Sequence, residues 1–214
     1  MSPIRESREP RGTTPRTTPL GAVVGDAHLK DTYAKPLRTV AGVCVAANAR
    51  TGRMQGSAVL MSFDTLDVLA VSTADVSLEE PAADTTVLQT AMAGWTVRPD
   101  LVLVAGHGVA DAMRAGLAVR LGVLMDLPSI GVALEADVGT SMALHAMRGA
   151  FSPLREAGVQ IGWILRSKID AEPLIVSPGH RVSMAAAPEL VLEVVRAARL
   201  PEPIRIAESG LRPD

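Results

Sequence analysis

The chain has 214 residues, 48% of them hydrophobic, with a net charge of −2 and one cysteine. That length supports one domain with a sizeable core, and the balanced charge excludes a strongly basic footprint for nucleic acid over the whole chain. A lone cysteine excludes a disulfide framework, an aromatic content of 2% argues against base-stacking platforms, and no apolar run reaches the roughly 20 residues of a membrane span.

Residues 1–37 differ from the rest. Four prolines within the first 19 residues and Arg5, Arg8, Arg11 and Arg16 among Ser and Thr read as a disordered, mildly basic arm, which cannot bury enough apolar surface to fold alone. No signal-peptide core is present there, and a cytoplasmic setting is expected. Residues 38–214 read as the folded domain. Three strands are expected over 39–46, 56–63 and 66–72, with links short enough for a meander. The acidic stretch 73–84 reads as a loop, and 85–95 as a helix with Asp84 at the N-cap position. A buried strand over 101–104, a helix over 110–125 and a strand over 128–133 make a parallel crossover. The span 135–155 is expected to hold a short helix at 141–147. A strand pair follows at 160–166 and 173–176, then a turn at 177–181. A terminal helix over 188–199 is broken by Leu200-Pro201-Glu202-Pro203.

The chain's chemistry is expected where the central strand stops. Leu101 to Val104 run into Ala105-Gly106-His107-Gly108, an apolar run ending in a tight turn. Sites in open α/β sheets form just beyond the carboxyl ends of strands, and glycines allow close approach of the backbone. His107 reads either as a contact to phosphate or base or as a packed turn residue. Gly179, His180 and Arg181 carry the same two readings, as a nucleic-acid groove or a capped turn, since Arg is a good phosphate ligand. Lys168, near Arg166, reads as a groove or a surface cation. Cys44 reads as a small buried hydrophobe.

Several phrases in register carry a resemblance. They are Pro99-Asp100-Leu101-Val102 leading to Gly106-His107-Gly108, then Ile130-Gly131-Val132-Ala133, Arg166-Ser167-Lys168, Pro178-Gly179-His180-Arg181-Val182-Ser183, and Leu200-Pro201-Glu202-Pro203. Together, over about residues 38–208, they resemble the endonuclease V family. The resemblance implies a ribonuclease H-like α/β fold: a mixed central sheet, three antiparallel strands followed by parallel crossover strands, and helices on both faces. It also implies Mg²⁺-dependent cleavage of DNA or RNA near deoxyinosine or inosine, with carboxylates holding the metal that activates water.

Carried over residue by residue, that pattern is broken. The first-strand aspartate falls at Cys44 and the central-strand aspartate at Ala105. The helix-start glutamate falls at Asp84, a histidine after the Gly-His-Gly turn at Asp111, a lysine after Ile130 to Ala133 at Leu134, and the late His or Asp at Glu208. The family's Tyr-containing wedge loop is not recognisable in 74–84. Asp84 and Glu208 remain as candidate metal ligands, with Asp111 as a further acid. The expected function is therefore an endonuclease V-like protein with a degenerate metal site that binds DNA, RNA or another phosphate-bearing ligand and cleaves little or not at all. The alternatives are an active nuclease using Asp84, Asp111 and Glu208, with Mg²⁺ as cofactor, and an interaction protein that binds no nucleic acid. No membrane partner is expected, and the sequence leaves the oligomeric state open.

Overall fold

The computed structural model describes residues 27–211. Eight strands form one sheet in the order β3-β2-β1-β4-β5-β8-β7-β6. β1 (Thr39–Asn48), β2 (Arg53–Ser62) and β3 (Val68–Ser77) make the antiparallel meander. β4 (Leu101–Ala105) then lies parallel to β1, and β5 (Ser129–Ala133) parallel to β4. β6 (Phe151–Glu156), β7 (Val159–Leu165) and β8 (Leu174–His180) return as antiparallel strands, with β8 inserted beside β5. The expected mixed sheet, with its meander and its parallel crossover, is what the chain forms.

Among the described residues four helices cover the two faces. α1 (Ala83–Met92) and α2 (Leu117–Met125) bury Val87, Leu88, Leu117 and Leu121 against Ala41, Val43, Val102 and Val104 on one side. α3 (Ala186–Glu193) and α4 (Glu202–Ser209) bury Leu190, Val191, Ile204 and Ala207 against Val40, Cys44, Leu101 and Leu103 on the other. Alternate residues of β1 and β4 serve alternate faces, so these fully buried strands read as continuous apolar runs. α4 lies directly on β1 at Gly42, where an added Cβ would fall 2.1 Å from the carbonyl carbon and oxygen of Pro203.

Several expectations are corrected. The stretch 73–84 is a loop only over 78–82; its first part completes β3, paired with β2 from Thr73↔Ser57 to Ser77↔Arg53, and its last two residues open α1. The helix expected from 110 starts at Leu117, because Gly116 packs onto the carbonyls of His107 and Gly108 and Arg114 takes a left-handed φ of 57°. No helix forms over 141–147: Thr140 exchanges backbone hydrogen bonds with Arg155, and Arg166 Nε donates to the His145 carbonyl. The supposed turn at 177–181 is mostly strand. Pro178 and Gly179 sit in a bulge of the β5–β8 ladder, between the pairs Ile130↔Pro178 and Ser129↔His180, a position that tolerates a residue without an N–H. The helix expected to reach 199 ends at Glu193. Leu200-Pro201-Glu202-Pro203 opens α4, with proline in its first turn where no donor is needed.

The supposed arm falls partly outside the described residues. From His28 the chain straps across the end of β8, with Arg181 N–H donating to the His28 carbonyl at 2.6 Å and Ser183 N–H to Asp31 Oδ1 at 2.7 Å. Among the described residues no helix is long and apolar enough to cross a membrane.

Candidate nucleic-acid interface

Cys44 and Ala105 stand side by side just past the last pair of the parallel β1–β4 ladder; Ala105 ends β4, while β1 continues to Asn48. Val43 pairs with Val104, and each of the two residues follows that pair by one position. Both pack on the α3–α4 face, in the same core. Cys44 is 2% exposed. Burial, with the nearby Glu208 carboxylate, pushes its thiol up to about 12, so it stays neutral. Glu208 itself reaches solvent, yet desolvation still raises its carboxyl above the usual range.

The remaining candidate acids are engaged elsewhere. Asp84 lies in the first turn of α1 and is not its N-cap; Ala82 holds that position. Arg120 of α2 grips both carboxylate oxygens, Nη1 to Oδ1 at 2.8 Å and Nη2 to Oδ2 at 2.5 Å. Burial opposes ionisation of Asp84, but the hydrogen bonds and charge of Arg120 outweigh it and hold the carboxyl below its usual range. Asp111 caps its own loop, accepting from the N–H groups of Met113 and Ala115 at 3.1 and 3.3 Å. The helices that carry Asp84 and Glu208 pack on opposite faces of the sheet.

Among the described residues, no three His, Cys, Asp or Glu side chains stand where they could hold one metal ion. The residues at the strand ends do not fit Mg²⁺: alanine has no ligating atom, and a neutral thiol is a soft, poor partner for a hard cation. Leu134, where a lysine is expected, is half exposed and carries no charge.

The other predicted residues divide between two edges. Gly106, His107 and Gly108 follow β4 at its carboxyl end. Lys168, three residues past β7, is exposed at the same edge, because Leu165 pairs with Leu174 next to the Ile175↔Ala133 pair. Gly106 adopts a φ of 143°, open to glycine and costly for other residues. Gly108 is required by packing: a Cβ there would lie 2.3 Å from the Pro178 carbonyl oxygen, and its N–H donates to Ser177 Oγ at 2.8 Å. His107 Nε2 meets Asp137 Oδ2 at 3.2 Å, while its Nδ1 is buried without a partner among the described residues.

Gly179, His180 and Arg181 lie at the opposite, amino edge, since His180 pairs with Ser129 at the start of β5. Gly179 fits under the Ala118 carbonyl and Ser129 Oγ. His180 and Arg181 both engage Asp126, and Arg181 also holds Thr32. The Pro178 carbonyl packs on Gly108 and accepts the Val109 N–H at 2.9 Å, so Gly179 lies one residue from the Gly106–Gly108 turn, whereas His180 and Arg181 are directed away from it to Asp126 and Thr32. Arg120, Asp126 and Asp137 were not singled out from the sequence. A lone arginine inside the apolar run Leu117 to Leu121 was the available signal for the first.

Comparison with known proteins follows the same outline. The Endonuclease V family model matches residues 23–209. The chain belongs to the endonuclease V family. An Endonuclease V of Azotobacter vinelandii is 40% identical over 204 residues, covering 89% of this chain and 92% of that protein. The crystal structure of the Endonuclease V of Streptomyces avermitilis superposes with a TM-score of 0.82 at 31% identity, covering 88% of this chain and 86% of that one. The Ciona intestinalis Endonuclease V, solved with a 24mer DNA containing an inosine followed by a ribo-adenosine, shares the fold at a TM-score of 0.71 and 19% identity, over 89% of this chain and 92% of that one. The architecture is the ribonuclease H-like fold of these nucleases.

Proposed function

We propose that this endonuclease V-family chain binds nucleic acid along the carboxyl edge of its sheet with a degenerate metal site, cleaving phosphodiesters very slowly or not at all. The observation that carries this reading is the pair Cys44 and Ala105, a neutral thiol and a methyl group side by side on adjoining strands where the family pattern calls for carboxylates. Loss of one catalytic metal ligand costs roughly 10³-fold or more in rate, and two are lost here. Binding is supported by the retained Gly106-His107-Gly108 turn, by Lys168 on the same edge, and by the fold shared with the DNA-bound Ciona protein. The ligand is DNA or RNA, and the free buried cysteine suits a reducing cytoplasm.

A nuclease rebuilt on Asp84, Asp111 and Glu208 finds no favouring geometry, since Arg120 occupies the first and the second caps its loop. The deciding experiment incubates the chain with deoxyinosine- and inosine-containing oligonucleotides in Mg²⁺ or Mn²⁺. It then measures binding to the same oligonucleotides in a chelator across a salt series. Salt-sensitive binding without cleavage supports the proposal. Cleavage above background that disappears in Asp84→Ala overturns it. Absence of binding at low salt assigns the chain to protein interactions instead.

A further inference from the structure

A second polar cleft lies at the amino edge of the sheet, away from the Gly106–Gly108 turn. It has a volume of about 370 Å³ and lies among Thr32 and Tyr33 of the strap, Arg98 and Asp100 before β4, Asp126 after α2, and Arg181 after β8. Most of these charges are tied down. Arg181 donates through Nε and Nη2 to Thr32 at 3.0 and 2.7 Å, and through Nη1 to the carbonyl and Oδ2 of Asp126 at 3.3 and 3.2 Å. The other oxygen of Asp126 faces His180 Nε2.

Two groups are left with capacity. Among the described residues Arg98 uses only Nη2, which donates to the carbonyls of Met125 and Asp126 at 2.8 and 2.6 Å, and its Nε–H and Nη1 hydrogens meet no partner there. Asp100 accepts the N–H groups of Arg38 and Thr39, at 2.8 and 3.0 Å, on Oδ2 alone. Its Oδ1 stays open.

A bare anion would meet Arg98 favourably and be repelled by Asp100; a cation would meet the reverse. An oxyanion that still carries a proton satisfies both, giving its oxygens to the guanidinium and its O–H to the carboxylate. We propose that this cleft binds inorganic hydrogen phosphate and discriminates against sulfate, which has equal size but no proton at neutral pH. A phosphate monoester loses its second proton near pH 6, so a phosphorylated nucleic-acid end fits the cleft only in acid. The proposal is independent of the nuclease question.

The test titrates the full chain with sodium phosphate or sodium sulfate at constant ionic strength, followed by amide chemical shifts. Saturable shifts at residues 32–34, 98, 100, 126 and 127, about tenfold tighter for phosphate, are expected, since one charge-assisted hydrogen bond is at stake. Arg98→Gln, on an exposed side chain, should weaken phosphate about tenfold with the fold intact, while Arg98→Lys keeps part of the affinity. Asp100→Asn, if it folds, should raise the affinity for sulfate. No saturable shift up to ~50 mM phosphate, equal binding of sulfate, or an unaltered Arg98→Gln variant overturns the proposal. So do shifts at these cleft residues that a 5′-phosphorylated oligonucleotide produces at lower concentration than inorganic phosphate at pH 7.5 and its unphosphorylated counterpart does not produce.

Discussion

Asp84 and Arg120 form a two-point ion pair between the first turn of α1 and the middle of α2, with both carboxylate oxygens taken at 2.5 and 2.8 Å. The partners are mostly buried, their side chains 24% and 22% exposed. Removing one charge leaves the other stranded in poor solvation. Arg120→Gln is therefore expected to cost about 1–3 kcal/mol, read by denaturant unfolding. The pair lowers the Asp84 carboxyl, so its stabilisation is complete above the unfolded value near pH 4 and is lost as pH falls through the lower folded value. The variant should lose that part of the acid limb. An unchanged midpoint and acid profile would show that the pair is only a surface contact.

Restoring acid residues should restore chemistry. The double variant Cys44→Asp with Ala105→Asp is expected to cleave inosine-containing oligonucleotides in Mg²⁺ at roughly 10³-fold or more above the parent chain. Each single variant should stay near background. Without metal, the new acids sit close to Glu208 and repel one another, so the double variant should melt lower than the parent and regain stability as Mg²⁺ is added. A melting temperature indifferent to Mg²⁺ would mean that the strand ends no longer face a common point.

Cys44 should be chemically silent. A buried thiol pushed up to about 12 offers almost no thiolate at neutral pH. Iodoacetamide at pH 8 should leave the native chain unlabelled over hours and modify it promptly in denaturant. Rapid native labelling would contradict the burial described for β1.

The strap at 28–33 should loosen in acid. Burial lowers the His180 imidazole, outweighing the pull of Asp126 in the other direction. A lowered histidine favours the folded state above the unfolded value near pH 6.5 and withdraws that support as pH falls toward the folded value. Protonation at Nδ1 also removes the acceptor for the His28 N–H, now at 3.2 Å. Amide exchange at His28 and Thr32 should accelerate between pH 7 and 5 relative to the β1 and β4 amides, after correction for intrinsic rates. His180→Gln should remove most of that difference. Uniform protection across this range would rule out a titrating tie.

The strands that are apolar on both faces were legible from residues alone. Leu101 to Val104 and Ile130 to Ala133 cannot be read as anything solvent-facing, and both are interior strands. Proline and glycine misled. Pro178-Gly179 signals a turn locally, yet a bulge against Ser129 and Ile130 accommodates it inside β8. Pro201 and Pro203 read as a break, although at a helix start the N–H that proline lacks would have had no intrahelical acceptor. The helix expected at 141–147 failed because the edge of β6 and the side chain of Arg166 satisfy that backbone, a long-range contact with no local signature. For the site, the substitutions at 44 and 105 were visible in the sequence. The grip of Arg120 on Asp84, 36 residues apart, was visible only in three dimensions.

The absence of a side chain at Gly42 reaches further than packing. With the main chain of α4 seated on β1 and no layer of side chains between them, the spacing from position 44 to position 208 is fixed by backbone against backbone. Drift in the surrounding core can soften the protein without retuning that interval. The frame thus works as a ruler: whatever side chains stand at 44 and 105, the length between β1 and α4 is kept by the backbone itself.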